Sequence, residues 1–84
     1  MIKEKMLSYI ENLIEEVLTE WRGEVGLTLE GGDFLAFLTW LKNQVRNAKN
    51  DEELRRLLVT EVKDENLITF EVLVLTDFLL MLDE

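Results

Sequence analysis

Cysteine and histidine are both absent from the 84 residues of this chain. Without cysteine no disulfide can form, so the secreted domains that depend on disulfide bonds are excluded as a class. Thiolate zinc sites, iron–sulfur clusters and metal sites with histidine ligands are excluded as well. The commonest general base and the best nucleophile of enzymes are also missing, so the sequence predicts neither an enzyme nor a cofactor.

Glycine is scarce and confined to one stretch of the chain. All four glycines lie between residues 23 and 32, in the sequence GEVGLTLEGG. This stretch is predicted to be the one flexible connector, and Asp33 is predicted to cap the helix that follows it. The length of the chain fits one small domain, so we predict a single helical domain over residues 1–84.

Apolar residues make up 48% of the chain, which is at the high end for a soluble domain and argues against disorder. A domain of about this size buries only roughly 60% of the surface that its unfolded chain exposes. A chain this short and this apolar has more apolar surface than one monomer easily buries. The composition therefore favours self-association or a constant protein partner.

The net charge is −9, which argues against direct binding to nucleic-acid phosphates. The exception is residues 34–49, which contain three bases and no acid. These bases, Lys42, Arg46 and Lys49, recur at i, i+4 and i+7 and so lie on one side of a helix. We predict that they contact the acidic surface of another copy, with a solvated stripe or pairing to acidic helices of the same chain as the alternative.

The spacing of apolar residues predicts an all-α fold, a compact bundle of four helices. The i, i+3, i+4 pattern is clearest in the first helix and is also present in the next two. Asn50 and Glu53 form a cap-like pair at the start of the third helix. The predicted helices cover residues 2–21, 33–48, 51–63 and 67–82.

The last of these segments has no clear polar side. Only four of the sixteen residues in 67–82 are polar. We therefore predict a helix that is mostly buried. The alternative is a strand over residues 67–75, because apolar residues alternate there and β-branched residues are present, and the fold class would then be α+β.

The same segment bears on the cellular location. It is shorter than the ~20 residues that span a bilayer, and it contains Glu71 and Asp77. The N-terminal residues alternate charged and apolar side chains, unlike a secretory signal. We expect a soluble, cytoplasmic protein that does not contact a membrane.

Two residues of the second helix, Trp40 and Leu35, lie outside its main apolar arc, and exposed tryptophans are enriched at interfaces. The predicted interface residues are Trp40, Leu35, Phe78, Leu79 and Leu82. The predicted function is a small protein-interaction module, an adaptor or regulator, that forms a homodimer or binds another protein. One alternative is an acidic inhibitor of a nucleic-acid-binding protein, since an acidic surface can mimic phosphate.

A second alternative function comes from carboxylates. Glu30 and Asp33 flank two glycines, and the same spacing recurs at Glu61 and Asp64. Hard cations such as Mg²⁺ accept oxygen ligands from flexible loops. These four residues are the candidate metal ligands of a Mg²⁺-dependent enzyme that resembles a phosphohydrolase.

Overall fold

The chain folds as a bundle of four helices in the computed structural model, which describes residues 2–23 and 26–83. The helices are α1 (Ile2–Glu20), α2 (Leu29–Asn47), α3 (Asp51–Glu61) and α4 (Thr69–Asp83). Two-residue strands, β1 (Arg22–Gly23) and β2 (Gly26–Leu27), pair antiparallel between α1 and α2. The predicted all-α bundle is confirmed, and the alternative strand over residues 67–75 is wrong because most of that segment lies in α4.

The core lies around α2, which contributes more buried side chains than any other helix. The buried apolar residues are Met6, Ile10 and Val17 of α1, Phe34, Phe37, Leu38, Leu41 and Val45 of α2, Ala48 just after α2, Leu54 and Leu58 of α3, and Val74, Leu75 and Phe78 of α4. α1 packs along α2, whereas α4 packs mainly on α3. This arrangement leaves α1 and α4 touching each other at few points.

The start of α2 differs from the prediction. The helix begins at Leu29, and the hydroxyl of Thr28 caps it by accepting a hydrogen bond from the N–H of Gly31 at 3.0 Å. Asp33 lies inside the helix, so its predicted role as the cap is wrong. Residues 24 and 25 of the predicted connector lie outside the described residues, and the glycines at its end belong to the helix.

Gly31 is required by a close approach of the chain to the end of α1. A Cβ atom at this position would lie 3.0 Å from the hydroxyl oxygen of Thr28 and 3.1 Å from the carbonyl oxygen of Trp21. The N–H of Thr28 also donates to that carbonyl at 3.2 Å. The first turn of α2 is therefore held so close to Trp21 that a side chain at residue 31 would push its neighbours apart by a few tenths of an ångström.

The starts of the last two helices follow local capping rules. The side chain of Asn50 accepts from the N–H of Glu53 at 2.8 Å, which confirms the predicted cap of α3. At α4, the carboxylate of Glu71 accepts from the N–H of Ile68 at 3.1 Å. α3 ends at Glu61, two residues before the predicted boundary.

Candidate functional site

An apolar pocket of about 380 Å³ opens between α1 and α4. Its volume is within the range of roughly 300–1,000 Å³ that is usual for ligand pockets. The lining residues are Tyr9, Leu13, Glu16, Val17 and Trp21 on the side of α1, Phe34 on α2, and Phe70, Leu73, Val74 and Asp77 on α4. The pocket exists because α1 and α4 both pack against other helices and do not close against each other.

A contact between α1 and α4 closes each end of the pocket. At one end the hydroxyl of Tyr9 donates to Asp77 Oδ2 at 2.7 Å, and the Tyr9 ring meets Phe78 edge-on at 5.4 Å. At the other end the ring of Trp21 lies 5.0 Å from the ring of Phe70 and 5.2 Å from that of Phe34. Because a helix rises ~1.5 Å per residue, the wall from Tyr9 to Trp21 is about 18 Å long, or about three turns.

The polar groups of the pocket are acidic or neutral. Glu16 and Asp77 are its two carboxylates, and no lysine or arginine is among the described residues that line it. Burial raises the pKa of Tyr9 to about 12, with smaller contributions from the hydrogen bond to Asp77 and from its negative charge. Tyr9 therefore keeps its proton at neutral pH and remains a donor to Asp77.

The side of α4 that faces away from the core carries three large apolar residues. Phe70, Leu73 and Leu80 are 52%, 53% and 59% exposed, and we call these three residues the outer face of α4. Phe70 and Leu73 also line the pocket, so the outer face adjoins it, with the polar Thr76 and Asp77 between Leu73 and Leu80. In the described part of the chain, no helix is long and apolar enough to cross a membrane, α4 included.

The predicted interface residues lie outside the α1–α4 pocket and the outer face of α4. Phe78 is fully buried, so it belongs to the core and has no surface to offer a partner. Leu79 and Leu82 are half-buried against the core, as are Leu35 and Trp40 on α2. None of the five is a lining residue of the pocket.

The sequence prediction missed the outer face of α4 because it treated this helix as apolar all round. In the structure Thr69, Thr76 and Asp83 are all exposed, at i, i+7 and i+14, so a narrow polar stripe marks the side that faces water. The prediction chose residues near the C-terminal end of the helix without using this stripe. The threonines at i and i+7 were the usable signal, because Leu73 and Leu80 lie on the same side of the helix as they do.

The basic residues of α2 lie beside α1. The ammonium group of Lys42 pairs with a carboxylate oxygen of Glu11 at 3.3 Å. Arg46 and Lys49 are exposed, and the ammonium group of Lys3 donates to the main-chain carbonyl of Ala48. Lys42 thus joins α2 to the acidic surface of α1. The contact of Lys42, Arg46 and Lys49 with another copy stays a prediction.

The candidate metal ligands are spread over two helix ends. Glu30 and Asp33 are exposed near the start of α2, Glu61 ends α3, and Asp64 lies in the turn that follows. Asp64 instead accepts from the N–H of Asn66 at 2.9 Å. Among the described residues, no three carboxylates come together in a group that could hold a metal ion.

Comparison with known proteins gave no relative: no family model, no curated protein and no solved structure matches the chain.

Proposed function

We propose that the protein is a protein-interaction module that binds a protein chain through the α1–α4 pocket and the outer face of α4, with no chemistry of its own. One observation carries this proposal. Three large apolar side chains that are more than half exposed adjoin a pocket, in a chain whose net charge is −9. Apolar clusters of this kind beside a concave site are typical of protein contacts.

The energetics require a partner without a second outer face to enter the pocket. Burying a whole Leu or Phe side chain contributes roughly 1.5–3 kcal/mol, so covering the half-exposed outer face of α4 contributes on the order of 3 kcal/mol in total. Association costs about 4–15 kcal/mol. The outer face of one chain alone is therefore insufficient, and a partner that does not bring a second outer face must also place anchor side chains between α1 and α4.

A second copy of this chain is the first partner to test, and we propose a cytoplasmic protein that self-associates. In a symmetric pair both outer faces are covered, which doubles the apolar contribution. Because the contact is apolar, we expect it to persist at high salt. If Lys42, Arg46 and Lys49 instead docked on the acidic surface of another copy, association would weaken as salt is raised.

Sedimentation velocity from micromolar to millimolar concentration, at low and high salt, tests this form of the proposal. We expect a dimer at both salt concentrations and a monomer for the double variant Leu73→Glu, Leu80→Glu. The control is Leu29→Glu, which adds one negative charge, against two in the double variant, at a leucine that is 84% exposed on α2. If the wild-type chain remains monomeric at millimolar concentration, self-association is wrong and the proposal depends on binding to a different chain.

A further inference from the structure

We infer that the α1–α4 pocket takes the apolar side chains of a cationic amphipathic helix, one that carries lysine or arginine beside its apolar stripe. The inference rests on the proposed function and specifies the chemistry of the partner. Three features support it: the length of the opening, the position of the carboxylates and the poor fit of a second copy.

The opening has the length of a short helical contact. Between the two end contacts the wall formed by α1 runs for about 18 Å, and the wall formed by α4, from Phe70 to Asp77, runs for about 10 Å. An amphipathic helix presents apolar side chains at i, i+3, i+4 and i+7, and its first and last anchors are then about 10 Å apart. Such a stripe fits between the Tyr9–Asp77 contact and the Trp21–Phe70 contact, with Leu73 at the open edge.

Carboxylates stand on both walls of the opening. Glu16 lies on α1 and Asp77 on α4, so a helix between them passes within reach of both. Tyr9 occupies one acceptor position on Asp77, and an ionised carboxylate has about four. Glu20, one turn beyond Glu16 on α1, is exposed and extends the acidic edge. Lysine or arginine beside the apolar stripe of the partner would therefore find acceptors on either side.

A second copy of this chain can pair through the outer face of α4, but it fits the pocket itself poorly. α4 is the helix with the exposed apolar face, and it contains Glu71, Asp77 and Asp83 but no lysine or arginine. Placing it in the pocket would bring carboxylates against Glu16 and Asp77. Like charges that face each other across an interface oppose binding, so the electrostatics favour a cationic partner.

The test uses three synthetic peptides of about five helical turns with the same leucine stripe and with lysine, glutamine or glutamate at the other positions. Trp21 lines the pocket, and in a Trp40→Phe background it is the sole tryptophan and reports occupancy by fluorescence. We expect the lysine peptide to bind at least about tenfold more tightly than the glutamine peptide, and the glutamate peptide not to bind.

Two matched pairs of variants locate the binding. Glu16→Gln and Glu15→Gln each remove one carboxylate from α1, but only Glu16 lines the pocket. Leu73→Ala and Leu29→Ala each shorten an exposed leucine, but Leu73 lines the pocket whereas Leu29 lies on α2, outside both the pocket and the outer face of α4. We expect the pocket variant of each pair to weaken the lysine peptide about tenfold, and its control to change the affinity less than about twofold.

The other outcomes separate the inference from the proposed function. If both variants of each pair lose the same affinity for the lysine peptide, the peptide is attracted to the acidic protein in general and not to the pocket. The inference of a cationic helix in the pocket would then be wrong. Equal affinity for the three peptides at the pocket would overturn the cationic partner and leave the interaction module standing. If no peptide binds and the chain is monomeric, both are wrong.

Discussion

Replacing Tyr9 with phenylalanine tests the contact that closes one end of the pocket. The substitution removes the hydroxyl that donates to Asp77 at 2.7 Å but keeps the ring, whose edge-on contact with Phe78 is apolar. The hydrogen bond joins α1 to α4 across 68 positions of the sequence. The variant therefore measures this one tertiary link without opening a large cavity.

The expected loss of stability is about 1 kcal/mol. A hydrogen bond to a charged group contributes roughly 1.5–3 kcal/mol. Both side chains are only partly buried, so solvent competes for them and the lower value is reduced further. In a domain of about this size, 1 kcal/mol lowers the melting temperature by roughly 4–8 °C. Urea unfolding at neutral pH and thermal melts by circular dichroism measure both quantities, with Asp77→Asn as a second way to weaken the bond.

The burial of Tyr9, together with the same hydrogen bond, predicts that the stability of the fold depends on pH. The pKa of Tyr9 is raised from its ordinary value near 10 to about 12 in the folded chain. Above pH 10 the unfolded chain loses this proton more readily than the folded chain. The stability associated with Tyr9 is thus complete below pH 10 and is lost as the pH rises towards 12. The advantage of the wild-type chain over Tyr9→Phe should narrow across that range.

Tyr9 is the sole tyrosine, so the absorbance of tyrosinate reports it alone. We expect its titration in the folded protein to be centred well above pH 10. A midpoint near 10, together with an unchanged melting temperature of Tyr9→Phe, would refute the contact. The pocket would then lack the contact at one of its ends. The length of the opening would no longer support binding of a short amphipathic helix.

Two predictions concern the helix starts. Gly31→Ala should destabilise the fold by about 1–3 kcal/mol, because its Cβ would crowd Thr28 and Trp21. Gly32→Ala, whose Cβ would have nothing within 4 Å, should stabilise the fold by about 0.4–1 kcal/mol. Urea unfolding measures both variants, and equal effects would contradict the close approach of Gly31 to Trp21. Asn50→Ala should cost about 1 kcal/mol by the same measurement, because the N–H of Glu53 loses its acceptor, and an unchanged midpoint would argue against the cap.

The helices were predictable where periodicity and capping agree. α1 has a regular apolar stripe, and α3 has both a stripe and the Asn50 cap, so their starts follow from local rules. α2 was misplaced because glycine is among the poorest helix formers, and Gly31 and Gly32 therefore suggested a connector. Their place in the helix depends on the contact of Gly31 with Trp21, which local sequence does not encode.

The pocket could not be predicted because it depends on how two helices diverge. Its walls come from residues at opposite ends of the chain, and its closed ends are the Tyr9–Asp77 and Trp21–Phe70 contacts. Periodicity gives the core-facing side of α1, and Thr69 and Thr76 mark the exposed side of α4, but neither pattern shows that the two helices diverge. The candidate site is therefore a property of packing, and composition predicted only that some apolar surface would remain uncovered.

Polar residues are few on α4, and its exposed side carries Thr69, Thr76 and Asp83 beside the residues of the outer face. Nine of its fifteen residues are buried or half-buried, so most of the helix serves the core through side chains such as Leu75 and Phe78. Folding alone would tolerate polar residues at Leu73 and Leu80, since both are more than half exposed. Leucine at these positions adds little to the stability of the monomer and increases the risk of non-specific association. On the proposed function another chain covers these two leucines, and the charge of Asp77 between them would restrict which chain can do so.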